Sequence, residues 1–521
     1  MCRRQRCVAL VIAAALVVGA CTGGSGSTAG KARRGGTLRI GVTADSSLDP
    51  AQARTVEQLL VADQLFDGLT AYDASTNKVV PALAARWTAS DDQKTWDFTL
   101  RPGITFANGR AITADDVKYT FDRIARRGSG SPGAELLEPV SGYADTAVRD
   151  APGLAGISAP QPDLVRISLD APFAVLPALL SAPVFGVVPR ESVEAATPAF
   201  AKGPIGSGPF TVKDRTGTRI HLVRAPGSKA LVDAIDLVGY DGIPAAYTAF
   251  TQGDLDWTQV PPEKVAAARQ EYGSKGFVPY AAELLFGFNL KNSKFADVRF
   301  RQAIVKGIDR RALVRAVYDD IFKRLDGVVV SGVPGFNNDL CGELCAHDVA
   351  AAKALVAEVF PSGAPEIFLD YDAGEIRDAL AKAIQADLKE IGVNATLRPK
   401  PFDEYLNFEV SGQQELFLLG WIGRYPSQED FLAPLFASGS RNNLVGLKDD
   451  AFDKALAAAR AEPDEAKRLA LYRDAEKAAL ALLPVVPILQ YQVHSVTAKR
   501  VGGLRLSPTG TFDGAKVWVG G

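Results

Sequence analysis

Within residues 420–432, GWIGRYPSQEDFL, the chain sets an indole, a guanidinium, a phenol and two carboxylates close together. Trp421 offers a flat face for sugars, peptide planes or apolar side chains. Arg424 offers a fixed cation for a carboxylate, a phosphate or sugar hydroxyls. Tyr425 can supply a hydroxyl, and Glu429 and Asp430 bring carboxylates a turn later. Asn442 and Asn443, in SRNNLVG, serve a ligand or a turn equally well. These groups suit holding a molecule rather than breaking one.

Residues that could do catalysis are scattered. The three histidines, at 221, 347 and 494, form no pair at ligand spacing, so no histidine-built metal site is expected. There is no G-x-S-x-G elbow and no Gly-rich phosphate loop followed by Lys-Ser/Thr. A secreted hydrolase would need a histidine triad assembled by chance. No enzyme activity, cofactor or metal is therefore expected.

The five cysteines divide into two groups. Cys2, Cys7 and Cys21 belong to the N-terminus. Cys341 and Cys345, in LCGELC, read outside the membrane as a disulfide stapling a surface loop. A metal site using His347 is the alternative, and it lacks a fourth ligand nearby.

The N-terminus reads as a targeting segment. Arg3, Arg4 and Arg6 precede an apolar run over residues 8–18, which is short for a bilayer span. Val18-Gly19-Ala20-Cys21 then resembles a bacterial lipobox, with cleavage before Cys21 and diacylglycerol on its thiol. An ordinary signal peptide with an incidental cysteine is the alternative. The Gly/Ser/Thr tether over residues 22–30 suits an anchored domain, and two acyl chains suffice for stable anchoring. Residues 1–20 are thus a leader and 21–34 a lipidated tether, which places the protein on the extracytoplasmic face of the cell membrane. No other stretch is long and apolar enough to span a membrane.

The whole chain has 521 residues, 47% of them hydrophobic, enough for two or three domains. A formal net charge of −2 gives no reason to expect nucleic acid as a partner. Upstream of the 420–432 loop, strands and helices alternate. Residues 366–371, 393–398 and 415–421 read as strands, with helices at 374–391 and 402–410 between them. Ile376, Leu380, Ala383, Ile384, Leu388 and Ile391 share one helical face. This pattern predicts a parallel-type sheet covered by helices, with the loop beyond a strand's carboxyl end. Earlier, residues 100–124 give a turn at Pro102-Gly103, a second at Asn108-Gly109, and a helix capped by Thr113 and Asp116.

The order W-x-F-x-L-R-x-G-I-x-F-x-N-G-x-x-x-T-A-D-D-V at residues 96–117 resembles the signature of the family 5 extracellular solute-binding proteins of peptide-type ABC importers. So do Leu65-Phe66-Asp67-Gly68-Leu69, the run at 204–210, and Asp297-Val298-Arg299-Phe300-Arg301-Gln302-Ala303-Ile304. The resemblance implies an α/β, bilobed periplasmic-binding-protein type II architecture with an extra small α/β domain. It implies one lobe from residues 35–69, 204–285 and 490–521, an accessory domain at 70–203, and a second lobe at 286–489. It implies a monomer that closes around a ligand and docks on an ABC permease with its ATPase subunits. The arginines of 297–310 are then candidate cleft charges, most of them simply solvated.

Residues 420–432 resemble that family's cleft-lining G-W-x-A-D-Y loop, whose aspartate pairs with a peptide's α-ammonium. Here the aligned position is Arg424. That change favours an anion or sugar over a peptide N-terminus, unless Asp430 or Glu429 recovers the acidic role. By resemblance the ligand residues are Trp421, Arg424, Tyr425, Asp430, Asn442 and Asn443. The ligand is an oligopeptide or similar solute; the alternatives are an oligosaccharide, an anionic metabolite, a metal chelate, or a sensor role without a transporter.

Overall fold

The computed structural model describes residues 32–43, 47–195 and 197–520. The leader, Cys21 and the tether as far as residue 31 lie outside the described residues. Two long strands, Phe277–Phe288 and Val485–Thr497, organise the rest. The second half of Phe277–Phe288 and the first half of Val485–Thr497 read as apolar runs or nearly so, and the last eight residues of Phe277–Phe288 are all buried. Such a run fits a strand covered on both faces. The two strands pair antiparallel, and their register shifts between Pro279 and Glu283 and again between Leu284 and Leu285.

Among the described residues these strands sit at the middle of an 11-stranded sheet. On one side it runs through Trp257–Gln259, Thr37–Thr43, Ala234–Tyr240, Arg219–Arg224 and Phe210–Thr216. On the other it runs through Leu416–Ile422, Ile367–Asp372 and Ala395–Lys400. One hydrogen-bonded sheet thus passes through both lobes. The second lobe's outer strands pair parallel, but Leu416–Ile422 meets Phe277–Phe288 antiparallel. The sheet is therefore mixed rather than parallel-type, because the crossing strands enter and leave each lobe in opposite directions.

A separate four-stranded antiparallel sheet is built from Ala84–Ala89, Thr95–Leu100, Leu164–Ser168 and Ile157–Gln161. Helix Ala114–Ala125 covers it with Val117, Phe121 and Ile124, all fully buried. The Asp116 carboxylate accepts from the Thr113 backbone N–H at 2.9 Å, which closes that helix's first turn. Helix Glu375–Glu390 buries Leu380, Ala381, Ile384 and Leu388. Ile376, expected on the same face, is 53% exposed.

Cys341 and Cys345 are bonded to each other, with 5.5 Å between their Cα atoms. The segment around them is largely exposed, but both cysteines are buried and face inward rather than outward. Arg310, from helix Arg310–Tyr318, donates to the Cys345 carbonyl at 2.6 Å. Arg301 and Arg310 are neither cleft charges nor solvated. Both are buried and aimed at backbone carbonyls.

A buried carboxyl makes stability pH-dependent. Glu476, on helix Glu465–Ala481, is 1% exposed and accepts from Val328 N–H (2.7 Å) and Val329 N–H (2.9 Å). Burial pushes it up from 4.5 to about 7. The buried Glu283 carboxyl, in its field, is also pushed up, first by burial and then by Glu476. A carboxyl raised on folding holds a proton that the unfolded chain releases. Its stabilisation is complete below the unfolded value and is lost as pH rises through the folded one. Glu476→Gln keeps an acceptor for the two N–H groups and is expected to add about 1–2 kcal/mol above pH 7 and little at pH 4. Denaturant midpoints between pH 4 and 8 measure this, and an unchanged pH slope in the variant would refute it.

Candidate ligand site

The loop after strand Leu416–Ile422 leaves the carboxyl end of the strand beside Phe277–Phe288. Gly423 N–H donates to Ala281 O at 2.6 Å, holding the start of the loop against the crossing strand. A side chain at Gly423 would meet the Phe431 ring at 2.9 Å, so the close approach requires glycine.

The loop then folds over one carboxylate. Asp430, in the first turn of helix Glu429–Phe436, is fully buried. It accepts from Arg424 Nε (3.0 Å), Arg424 Nη2 (2.6 Å) and the backbone N–H of Arg424. Tyr425 N–H approaches it at 3.4 Å. The Arg424 guanidinium also lies over the Trp421 ring, 4.9 Å from its centroid. Burial raises the Asp430 carboxyl above its ordinary value, against the pull of Arg424 and the backbone N–H groups. Asp430 therefore faces inward as the partner of Arg424 and presents no carboxylate to the cleft. Glu429 is likewise buried and bound by Arg460 at 2.5 and 2.8 Å.

Two recesses flank Arg424. One, about 1,080 Å³, lies between this loop and residues 135–139 of the four-stranded unit, and Tyr425, Glu429 and Asn442 border it. Tyr425 is 4% exposed, and burial raises its phenol well above the ordinary value. Arg441 bridges the same gap with ion pairs to Glu138 (2.6 Å) and Glu135 (3.6 Å). Asn443 stands apart. Its amide donates to Ala437 O (3.1 Å) and Leu447 O (2.7 Å) and accepts from Leu447 N–H (3.0 Å), which is a turn role. Trp421 is half-buried beneath Arg424, and its indole N–H is without a hydrogen bond.

The other recess, about 630 Å³, is lined by residues 72–75 and 181–183 and by three further parts of the fold. Helix Val56–Leu65 contributes Asp63, the loop after Leu416–Ile422 contributes Arg424 and Pro426, and the C-terminal segment contributes Ser507, Thr511, Asp513 and Lys516. Gln64 clamps that segment to the helix through Phe512 O (2.9 Å) and Gly514 N–H (3.0 Å). None of the lobe I residues was singled out from the sequence. The available signal was Asp63 itself, a lone acid inside the apolar run LLVADQLF.

The histidines do not converge. His221 pairs with Asp236 at 2.6 Å, His347 lies 3.8 Å from Asp309, and His494 is buried against Phe277 and Phe322. A family profile described as bacterial extracellular solute-binding proteins, family 5 (middle) matches residues 78–443. The chain belongs to this family. Its members bind solutes extracytoplasmically for transport and perform no catalysis, so this solute-binding protein is not an enzyme.

The protein is similar to the periplasmic murein peptide-binding protein MppA of Escherichia coli strain K12, 26% identical over 464 residues, covering 86% of each chain. It is similar also to the probable deoxycholate-binding periplasmic protein YgiS of the same organism, 25% identical over 479 residues, covering 88% of this chain and 89% of the other. A solved structure of MppA in its unliganded open form superposes with a TM-score of 0.82 at 24% identity over 93% of this chain and 97% of that one. The fold is thus the bilobed type II binding-protein architecture with an extra small domain.

Proposed function

We propose that this protein is the solute-capturing component of an ABC importer, holding a peptide-like solute between its lobes and passing it to a membrane permease with ATPase subunits. The observation that carries this reading is the 630 Å³ recess, whose walls come from both lobes and from residues 72–75 and 181–183 of the intervening 70–203 segment. A ligand that touches all three favours the closed form in proportion to those contacts. Residues 35–69, 204–285 and 490–521 act as one lobe and 286–489 as the other, with 70–203 attached to the first. A single lipidated Cys21 keeps the monomer on the extracytoplasmic face.

A second reading, a solute without an ammonium group, is supported by Arg424. Its Nη1 approaches Glu135 only at 4.0 Å, which leaves donor capacity beside the cleft for an anion.

A thermal-shift screen of the protein from residue 22 onward tests both. The panel is di- to penta-peptides, oligosaccharides, metal chelates and anionic metabolites. A ligand at about 100 times its Kd adds about 2.7 kcal/mol to the folded state. Peptide hits are expected. Hits confined to anions would replace the first reading by the second, and silence across all classes would overturn the binding function. A sensor would bind its solute yet leave the ATPase rate of a reconstituted permease unchanged.

A further inference from the structure

We propose that Asp63 is the acceptor for an ammonium group on the bound solute, so that the cation subsite lies on the first lobe rather than in the 420–432 loop. This rests on the reading of the interlobe recess as the ligand site.

Asp63 lines that recess from helix Val56–Leu65. Among the described residues no hydrogen bond or ion pair reaches its carboxyl. Every other carboxylate at the recess is engaged. Asp73 accepts from Ser75 Oγ (2.7 Å) and pairs with Lys516 (3.3 Å). Asp513 accepts from Ala515 N–H (3.0 Å) and pairs with Lys516 (3.4 Å). Of the cations there, Lys516 is held by these two carboxylates and Arg424 by Asp430. Arg505, exposed at the rim, is without a partner among the described residues. A half-buried carboxyl facing a recess, with no counter-charge of its own, is completed by a cation from outside. The hydroxyls of Ser507, Thr509 and Thr511 stand in the same wall, bonded to one another at 2.9 and 3.0 Å, and each oxygen has two lone pairs.

The electrostatics agree with the geometry. Burial, then Asp513, then Asp67 push the Asp63 carboxyl up to about 8. Binding an ammonium ion requires the ionised form. Uptake of an amine at pH 7 therefore releases a proton, and affinity rises as pH goes from 6 to 8.

The test screens alanine and phenylalanine di- and tri-peptides, each free and N-acetylated, by calorimetry on the whole soluble protein and on Asp63→Asn. Hits are expected only among free amines. Each is expected to release close to one proton, read from the enthalpy in buffers of different ionisation heat. Asp63→Asn is expected to weaken them roughly 30-fold or more and to abolish the proton release. The variant removes an unpaired acid, so its thermal stability stays the same or rises, which separates lost binding from lost folding. N-acetylated peptides that bind as well as free ones, or free peptides unaffected by Asp63→Asn, would overturn the assignment while leaving peptide binding intact. If no peptide binds in either form, both this assignment and the peptide reading fail.

Discussion

Arg301→Ala is expected to cost about 4 kcal/mol of stability, since it removes a buried cation that satisfies several buried carbonyls at once. Arg301, on helix Val298–Gly307, donates to Phe295 O (2.5 Å), Ala296 O (3.2 Å), Leu482 O (2.6 Å) and Leu483 O (3.1 Å). The last two carbonyls end helix Glu465–Ala481 just before the crossing strand Val485–Thr497 begins. Leu483 sits there at φ +44°, a conformation that a branched side chain rarely adopts. Strain of that kind persists only where surrounding contacts hold it. The guanidinium therefore fixes the point at which the chain re-enters the sheet shared by both lobes. Without it the carbonyls face no donor, and the volume left behind adds its own penalty. Arg301→Lys, with one nitrogen in place of three, is expected to recover only part. Urea denaturation of both variants measures the effect, and a loss under about 1 kcal/mol for Arg301→Ala would show that water takes over the carbonyls.

Arg301 also marks where sequence reading stops. Its helix was legible from the resemblance of residues 297–304 to the family's helix, and Asp297 caps it by accepting from Arg299 N–H at 2.8 Å. The role of the arginine was not legible, because two of its acceptors are main-chain atoms about 180 residues away. Local signals fared well throughout. The capping box of Thr113 and Asp116 and the amphipathic helix Glu375–Glu390 depend on neighbours in the chain. What depends on the register of distant strands did not show: that one sheet runs through both lobes, or that Asp256 is buried between Arg39 (3.1 Å) and Arg500 (2.7 Å). At the site the sequence singled out the loop but not the opposite wall, since only the fold brings Asp63 and residues 503–516 to Arg424.

Arg424→Ala is expected to cost about 3 kcal/mol, because it strands the buried Asp430 carboxylate. The backbone N–H groups of Arg424 and Tyr425 remain and keep the loss below that of a bare buried charge. Asp430→Asn added to Arg424→Ala is expected to restore about half, giving a coupling of about 1–3 kcal/mol between the two positions. Additive losses would show that the pair contributes nothing beyond its separate contacts. The same pairing decides how the ligand role of position 424 is examined. Arg424→Asp alone would set two carboxylates against each other in a buried loop, and any change in binding would be confused with unfolding. Arg424→Asp combined with Asp430→Asn avoids this, since the inward group becomes neutral and the new acid alone turns to the recess. If position 424 faces the solute, this double variant gains affinity for free-amine peptides and loses it for anions. If ligand preference stays as it was, the guanidinium acts only as a cover over Asp430 and Trp421, and selection belongs to the first lobe.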